Sequence, residues 1–255
     1  MSEQLYGPRL DSTASNKLAF PPIETALEEP NGLLAIGGNL EPDTLLEAYH
    51  HGIFPWADAN EPLLWWSPDP RAVIAPKDVH ISKSLRKSMA RCNFNLSVNR
   101  DFSQVINACA SARKSGSETW ISEDMIRAYE QLHQKGYAHS IEVWQEKQLV
   151  GGLYGVAVGK IFCGESMFHR ENDASKIAFV ALCRLLEKAN WPLIDCQLPN
   201  NHLQSLGVKT MPRAAFKNFL PNTTRSTSQH SAPIVEYIWQ QLPWQNSREL
   251  LTDLS

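Results

Sequence analysis

The sequence predicts an α/β (α+β) protein in which a small N-terminal domain precedes a larger domain built on a mixed, largely antiparallel sheet. Three observations support this fold class. Residues 139–168 form three successive apolar runs joined by tight turns, the pattern of an antiparallel meander. Segments with helical and strand periodicity alternate on both sides of that meander. The chain has 255 residues, of which 43% are hydrophobic, so it can bury a core of this size.

The composition excludes membrane-spanning and disulfide-rich secreted classes. No apolar run approaches the roughly 20 residues that cross a bilayer, and the N-terminus lacks the basic-then-apolar order of a signal peptide. We therefore expect a cytoplasmic monomer without a membrane partner. The five cysteines include no CxxC pair, which favours buried reduced thiols over a disulfide framework or a metal site.

Charge is distributed unevenly, and its change of sign supports a domain boundary near residue 70. Residues 1–70 carry 2 basic and 11 acidic side chains, whereas residues 71–115 carry 9 basic and 2 acidic. We predict an N-terminal domain over 1–70 and a second domain over 71–255, with no role assigned to the tail 221–255. The basic segment is either a surface for a polyanion or an ordinary solvated face.

In the N-terminal domain, the pattern predicts a strand over Leu33–Ile36 and a helix over 41–51. Tryptophans and prolines then cluster over 52–71. Aromatic rings held by prolines suit a surface that receives a flat group such as a nucleobase. For Trp65 and Trp66 the alternative is that they fill the joint between the two domains.

The larger domain begins with a strand over 71–75 and a helix capped by Ser82. Four basic side chains lie side by side on this helix, namely Lys83, Arg86, Lys87 and Arg91. Such a stripe suits phosphate groups.

The order of the remaining elements predicts a known architecture. A strand near 94–98 precedes helices over 101–113 and 122–135; after the meander come a helix over 174–190, a strand over 193–198 and further short elements. From the first of these strands the order is β α α β β β α β α β, which is that of the GNAT acyltransferase fold. In that fold the fourth and fifth strands splay apart, and the reacting groups meet in the gap. Order alone describes architecture and does not establish chemistry.

Polar side chains in two predicted core strands mark a candidate site. Alternation along 193–198 places Asp195 and Gln197 on one face, and the same rule groups Glu165 with Met167 on the last strand of the meander. Burying an unpaired carboxylate costs free energy, so the presence of Glu165 and Asp195 in core strands requires an explanation. Either they converge on the splayed gap as a reactive site, or they are hydrogen-bonded structural groups.

Apolar side chains on the same elements are candidates for a pocket beside this site. They are Leu153, Phe162, Met167, Phe179 and Ile194. The alternative for each of them is an ordinary place in the core.

The usual acyl donor of this fold is coenzyme A, whose pyrophosphate binds a glycine-rich turn at the start of the helix after the fourth strand. The corresponding segment here, FHRENDASK at 168–176, contains no glycine. We therefore expect no cofactor, and an acyl group that arrives on another carrier. The basic helix and the neighbouring tryptophans favour a nucleic acid as that carrier.

Many unusual strings occur in one order over about residues 20–220. They are EPNGLLAIGGNL (29–40), GIFPW (52–56), WWSPDPRAV (65–73), HIS (80–82), TWI (119–121), HSIEVW (139–144), GGLYG (151–155), FCGESMF (162–168), ASK (174–176), LIDCQ (193–197), SLG (205–207) and PR (212–213). In these strings the chain resembles the leucyl/phenylalanyl-tRNA-protein transferases of bacteria. That family has a GNAT-like C-terminal domain and a smaller N-terminal domain, in agreement with the predicted boundary.

The resemblance implies a reaction in which the α-amino group of a protein that begins with Arg or Lys attacks the ester of an aminoacyl-tRNA. The aminoacyl group is Leu or Phe, with Met left open, and the extended protein is marked for degradation. By motif position, Asp195 would hold and help deprotonate the incoming ammonium group, and Gln197 would hydrogen-bond the reacting centre. Glu165 would orient the aminoacyl end or the amine, and Asn200 would add a hydrogen bond.

The resemblance also implies how the RNA is held. The apolar pocket would select a side chain that is unbranched at Cβ, and Trp56 and Trp120 would flank the terminal adenosine. The four basic residues would grip the acceptor stem, with a salt slope on the order of −3 for four phosphate contacts. Two other hypotheses compete with this one: a coenzyme A-dependent N-acetyltransferase, and an RNA-binding module without catalysis.

Overall fold

Two sheets make up the framework of the computed structural model. The model describes residues 8–10, 19–56, 62–111, 121–221 and 236–252. None of the helices in these ranges is both long and apolar enough to cross a membrane.

The first sheet has four strands in the order β1-β2-β4-β3. Its strands are β1 (Arg9–Leu10), β2 (Leu33–Gly37), β3 (Phe54–Pro55) and β4 (Leu64–Trp66). Helix α1 (Pro42–His50) links β2 to β3, and Gly52 follows it with a φ of +73° that favours glycine. The predicted strand and helix of this region are both confirmed.

The second sheet has seven strands in the order β11-β5-β10-β9-β8-β7-β6. They are β5 (Arg71–Ile74), β6 (Asn95–Val98), β7 (Ala138–Gln145), β8 (Gln148–Val158), β9 (Ile161–His169), β10 (Leu193–Gln197) and β11 (Lys209–Met211). Only β9 and β10 pair in parallel, so the sheet is mixed and largely antiparallel as predicted.

Helices cover both faces of this sheet. They are α2 (Lys83–Arg91), α3 (Phe102–Ser111), α4 (Glu123–Gln134), α5 (Ala174–Lys188), α6 (Asn201–Gln204), α7 (Arg213–Phe216) and α8 (Glu249–Thr252). Helices α1, α3 and α4 pack on one face, whereas α2, α5 and α8 pack on the other. As predicted, Ser82 caps α2, with its hydroxyl accepting a bond from the Leu85 N–H at 3.1 Å. From β6 onward the order β α α β β β α β α β is present.

The core on the α1, α3 and α4 face is continuous across residue 70. It joins Leu34 and Trp65 of the first sheet to Phe102 of α3 and Tyr154 of β8. Trp65 is fully buried, and its indole N–H donates to the carbonyl of Gly37 at 2.8 Å. Trp65 is therefore a core residue, and it offers no surface to a nucleobase.

Part of the tail is docked on the body. A 3₁₀ helix over Glu236–Trp239 buries Ile238 and Trp239, and the Trp239 ring stacks on that of His139 with centroids 4.1 Å apart. Residues 112–120, between α3 and α4, and residues 222–235 of the tail lie outside the described residues.

Two β-bulges determine where the site residues lie, one in β9 and one in β10 after Asp195. The ladder between β8 and β9 shifts register at Tyr154/Gly155, which makes Glu165 the extra residue of β9. Met167 consequently packs on the α5 face, whereas Cys163 belongs to the opposite face. Strict alternation had grouped Glu165 with Met167 on the face of Cys163, so that prediction was wrong for Met167.

Glycine is required beside this bulge. A Cβ on Gly155 would lie 2.2 Å from the Cys163 carbonyl oxygen and 2.6 Å from the Phe162 ring. Because both contacts are closer than van der Waals packing allows, any larger residue would force β8 and β9 apart.

Candidate active site

A cavity of about 560 Å³ opens where β9 and β10 separate. The two strands pair from Leu193 opposite Ile161 to Asp195 opposite Cys163, and no further. The five apolar residues expected at a pocket all line this cavity, namely Leu153, Phe162, Met167, Phe179 and Ile194. Phe54, Pro55 and Trp56 of the first sheet region close another side. We refer to this space as the apolar cavity.

Glu165 supplies a carboxylate to the wall of the apolar cavity. One oxygen, Oε1, accepts a hydrogen bond from Nε2 of Gln197 at 2.8 Å. The other, Oε2, accepts one from the hydroxyl of Tyr129 at 2.8 Å. Burial raises the pKa of Glu165 to about 7, although the tyrosine and Gln197 hydrogen bonds lower it in part. Near neutral pH this carboxyl group therefore exists in both protonation states.

A second tyrosine extends this network into the core. The hydroxyls of Tyr49 and Tyr129 lie 2.5 Å apart, and both residues are buried. Because Tyr129 donates its proton to Glu165, Tyr49 is the donor to Tyr129. Burial, followed by the nearby Glu165 charge, raises the pKa of both phenols well above the ordinary value, so both remain protonated donors.

Asp195 lies next to this network but does not line the cavity. It is completely buried, and its carboxylate receives a bidentate pair of bonds from Arg71, Nε to Oδ1 at 2.8 Å and Nη2 to Oδ2 at 2.7 Å. The Arg71 guanidinium lies between the rings of Phe54 and Phe216, 4.9 Å and 4.8 Å from their centroids. In this arrangement Asp195 is not part of the cavity wall, so the geometry gives no support to its predicted direct contact with an incoming ammonium group.

Burial alone would lower the pKa of Arg71, but the charge and hydrogen bonds of Asp195 outweigh it and raise that pKa above the ordinary value. The guanidinium of Arg71 is therefore charged. A bidentate pair with this geometry also fixes the position of β10 against β5.

Gln197 links the two acids. Its backbone N–H donates to Oδ1 of Asp195 at 2.9 Å, and its side chain reaches Glu165. Its φ is +63°, a left-handed conformation that is uncommon for a residue other than glycine. The bond to Asp195 holds the backbone in this conformation, which turns the amide side chain into the cavity. Simple alternation along β10 thus ends at Asp195, where the ladder to β5 is also irregular.

The remaining expected residues of the site differ in their placement. Trp56 lines the cavity with 38% of its surface exposed, and its ring meets that of Trp66 edge-on at 5.8 Å. Asn200 also lines the cavity, but its side-chain oxygen caps α6 by accepting from the Leu203 N–H at 2.8 Å. Only its amide N–H₂ is thus left to meet a ligand. Trp120 lies outside the described residues.

Two of the four basic residues of α2 line a cavity, and the other two do not. Lys87 and Arg91 line a second cavity, of about 690 Å³, between α2 and the start of α5, whereas Lys83 and Arg86 are exposed and are not part of its lining. His169, Lys176 and His202 contribute to the same cavity, which we call the basic cleft. His202 also lines the apolar cavity, so the two spaces adjoin.

Sequence reasoning missed three residues of the network. Arg71 carried a usable signal, since alternation puts it on the same face of β5 as Val73, opposite Asp195 on β10. Tyr49 and Tyr129 occupy core positions of α1 and α4 and gave no signal, because a buried tyrosine is usually a packing residue.

Comparison with known proteins adds an independent finding. A family model described as leucyl/phenylalanyl-tRNA protein transferase matches residues 73–221, and a model for the N-terminal domain of the same proteins matches residues 38–69.

Curated relatives agree with the family models. The leucyl/phenylalanyl-tRNA–protein transferase of Tolumonas auensis is 54% identical over 212 residues, covering 83% of this chain and 89% of the relative. The protein of the same name from Azotobacter vinelandii is 52% identical over 205 residues, covering 80% and 91%. Among solved structures, a GCN5-related N-acetyltransferase from Kribbella flavida shares 11% identity over 64% of this chain and 58% of its own, with a TM-score of 0.37. A likeness of that size adds nothing about chemistry.

Proposed function

The chain belongs to the leucyl/phenylalanyl-tRNA–protein transferase family, and from this premise we propose that it transfers Leu or Phe from aminoacyl-tRNA to the N-terminal α-amino group of proteins that begin with Arg or Lys. The extended protein is then marked for degradation. The enzyme acts as a monomer in the cytoplasm, where its RNA substrate is found. The observation that carries the proposal is an apolar cavity with one carboxylate, Glu165, and one amide, Gln197, at the splayed end of β9 and β10.

The apolar cavity receives the aminoacyl side chain. Its wall of leucine, isoleucine, methionine and phenylalanine favours an apolar side chain by burial, and we propose that the shape of the cavity selects one that is unbranched at Cβ. At about 560 Å³ the cavity exceeds the needs of one side chain, which leaves room for the ribose and for the attacking amine.

The reaction is aminolysis of an activated ester. The amine nitrogen forms a bond to the ester carbonyl carbon, and the bond from that carbon to the ribose oxygen breaks. The nitrogen loses a proton, and the ribose oxygen gains one. An α-amino group has a pKa of about 8, so much of it arrives protonated near neutral pH. Alignment of the amine and the ester lowers the activation free energy by roughly 7–11 kcal/mol when the geometry is right.

Glu165 is the group that takes the proton from the amine. Among the described residues that line the apolar cavity it is the only carboxylate, and its pKa of about 7 matches a base that works near neutral pH. The donors Tyr129 and Gln197 keep its two oxygens in place. Tyr49 in turn fixes Tyr129.

Gln197 positions the amine, and Asp195 positions Gln197. Because Nε2 of Gln197 donates to Glu165, the amide oxygen is the acceptor that remains for an N–H of the incoming amine. Asp195 acts through the backbone N–H of Gln197 and through Arg71, so it is a positioning residue without contact to the substrate.

The adenosine at the RNA 3′ end lies against Trp56. This ring is partly exposed at the cavity and is supported by Trp66, whose indole N–H donates to the Trp56 carbonyl at 2.8 Å. Exposed aromatic rings bind bases of any sequence by stacking. We propose that Trp120 flanks the same base and that the amide N–H₂ of Asn200 adds a hydrogen bond. We propose that the chain is divided at residue 70 into domains 1–70 and 71–255. Residues of both domains then line the site.

A peptide-extension assay tests the proposal. An Arg-initiated peptide incubated with leucyl-tRNA and the protein should gain the mass of one leucine, and puromycin, which mimics an aminoacylated 3′ end, should inhibit the gain. The same peptide with an acetylated N-terminus is the matched control and should gain nothing. Absence of a mass gain with both leucyl-tRNA and phenylalanyl-tRNA would refute the proposal, and leave an RNA-binding module as the alternative.

A further inference from the structure

The docked tail, residues 236–252, has no role in the chemistry described above. One of its side chains, Trp239, is buried against Phe162, whose ring lines the apolar cavity. We propose that Trp239 is a positioning residue that holds the Phe162 ring at the cavity wall and thereby sets the size of the aminoacyl side chain that the cavity accepts. This inference rests on the proposed function and adds to it the choice between Leu and Phe.

Trp239 supports Phe162 from outside the apolar cavity. The two ring centroids are 5.5 Å apart, the ring planes are inclined by 34°, and Trp239 does not belong to the lining of the cavity. Aromatic rings at this separation are packed against each other, so each limits the movement of the other. The Phe162 ring thus has the cavity on one side and the docked tail on another.

The backbone of β8 limits the Phe162 ring in a different direction. A Cβ on Gly155 would lie 2.6 Å from Cε1 and 2.7 Å from Cζ of this ring. The end of the ring therefore rests directly on the glycine and has no free space toward β8. Trp239 is consequently the neighbour whose shortening would give the ring room to withdraw from the cavity.

Trp239 is itself held in place by other rings. It stacks on His139, with centroids 4.1 Å apart and planes inclined by only 6°, and it meets the Trp191 ring edge-on at 5.9 Å. Burial lowers the pKa of His139 to about 3, so the stacked imidazole is neutral near neutral pH. A ring enclosed in this way is a rigid support for Phe162.

Asn99, which follows β6, ties both members of this stack to the sheet. Its Nδ2 donates to Nδ1 of His139 at 3.0 Å and to the carbonyl of Trp239 at 3.1 Å, while its Oδ1 accepts from the Ser140 N–H at 3.0 Å. Hydrogen bonds as well as apolar contacts therefore fix the docked tail behind the cavity wall.

The depth of an apolar pocket determines its preference among apolar substrates. One methylene more or less in such a pocket changes discrimination by roughly 10–200-fold. A shorter side chain at position 239 leaves space behind Phe162, and the ring can move into part of it. The cavity then becomes deeper, so that Leu loses contacts and the larger Phe gains them.

The test compares the binding of two probes that cannot react. They are analogues of leucyl-adenosine and phenylalanyl-adenosine in which a 3′-amide replaces the ester, so they differ only in the aminoacyl side chain. Trp239→Leu should raise the ratio of phenylalanyl to leucyl affinity by about tenfold or more over the wild-type ratio. Partial unfolding does not change this ratio, because a smaller folded fraction lowers both apparent affinities equally.

Trp239→Phe is the conservative variant. It keeps an aromatic ring against Phe162 and should shift the ratio in the same direction by a smaller factor. If Trp239→Leu does not fold, Trp239→Phe measures the same effect.

Trp244→Leu is the matched control. Trp244 is also buried in the docked tail, but its ring packs on Lys188 at the end of α5, with Nζ 5.2 Å from the ring centroid. This variant should lose stability and keep the wild-type ratio. A double-mutant cycle adds a second control: in a Phe162→Leu background, Trp239→Leu should no longer shift the ratio, because the ring that transmits the effect is gone.

The outcomes separate the inference from the proposed function. If the wild-type protein binds both analogues and neither Trp239 variant raises the ratio, the inference is overturned and the proposed function stands. An equal shift in Trp244→Leu would also overturn it, since general loosening of the tail would then suffice. If neither analogue binds the wild-type protein, the aminoacyl pocket and the inference fall together. Because the probes report binding alone, failure of the peptide-extension assay would bear on the proposed function and not on Trp239.

Discussion

Asp195 and Glu165 lie on neighbouring strands, but their surroundings give them opposite properties. Asp195 faces a cation, Arg71, which takes both of its oxygens and closes it off from the cavity. Glu165 faces neutral donors only, Tyr129 and Gln197, and stays on the cavity wall. The partners therefore distinguish the two acids: Asp195 is held in a buried ion pair, whereas Glu165 has neutral partners and a pKa that burial raises to about 7.

Glu165 depends on Asp195 through Gln197. The Asp195 pair fixes the backbone of Gln197 in its left-handed conformation, and the side chain of Gln197 then holds Glu165. A substitution that breaks the Asp195 ion pair should consequently also displace Glu165, whereas a substitution at Glu165 should leave the Asp195 ion pair intact. The predictions below use this asymmetry.

The largest effect is expected from breaking the buried ion pair. Arg71→Met leaves a carboxylate without a partner at a site where both side chains are 1% exposed. The free energy of unfolding should fall by about 3–5 kcal/mol, and transfer activity should be lost. Chemical denaturation with a parallel peptide-extension assay measures both.

The double variant Arg71→Met with Asp195→Val is the control for this loss. It removes both charges together, so it should recover most of the lost stability. It should not recover activity, because replacing Asp195 also removes the acceptor of the Gln197 backbone N–H. Recovery of activity along with stability would show that the pair serves the fold alone.

The second-largest effect is expected from a substitution of Glu165. Glu165→Gln keeps the shape of the side chain but removes the base, so the rate of transfer should fall by about 10²–10⁴-fold. At low pH, where Glu165 of the wild type is protonated as well, stability should differ by no more than about 1 kcal/mol, because the remaining oxygen can accept from Tyr129 while the Gln197 amide turns to accept from the new N–H₂. Below pH 7 the logarithm of the wild-type rate should rise with a slope of about two, one for Glu165 and one for the amine, and the slope should drop to about one in the variant. An unchanged slope would show that Glu165 is not the base.

The pH dependence of the free energy of unfolding should also report the raised pKa of Glu165. Burial raises the pKa of Glu165 to about 7 from an ordinary value of 4.5, so between these values the folded protein binds more protons than the unfolded chain. The wild-type protein should therefore lose stability relative to Glu165→Gln as the pH rises through this window, with a constant difference above it. Denaturation midpoints of the two proteins from pH 4 to 8 measure the difference. A difference that is the same at every pH would contradict the raised pKa.

The smallest effect is expected from Tyr129→Phe. This change removes a donor that stabilises the ionised form of Glu165, so the pKa of that carboxyl group should rise further. A hydrogen bond of about 1 kcal/mol corresponds to a shift of less than one pH unit in the rate profile. Tyr237→Phe, at an exposed tyrosine of the docked tail, is the control and should leave the profile in place.

Much of the architecture follows from local patterns in the sequence. The meander strands, the cap at Ser82 and the bounds of α4 and α5 were all predicted within a few residues. These features depend on periodicity of two or 3.6 residues and on the chemistry of single turns, which short segments carry by themselves. The five apolar residues of the cavity could be proposed for the same reason.

The sequence also determined the type of chemistry at the site, since strands with Glu165, Asp195 and Gln197 had to bring polar groups into a core. It did not determine which acid would form a buried ion pair and which would line the cavity. Only tertiary structure decided that, by placing Arg71 from β5 beside Asp195 and Tyr129 from α4 beside Glu165. The bulges at Glu165 and after Asp195 are likewise set by pairing with other strands. The pKa of a buried carboxyl group depends on partners distant in sequence, and no local pattern specifies them.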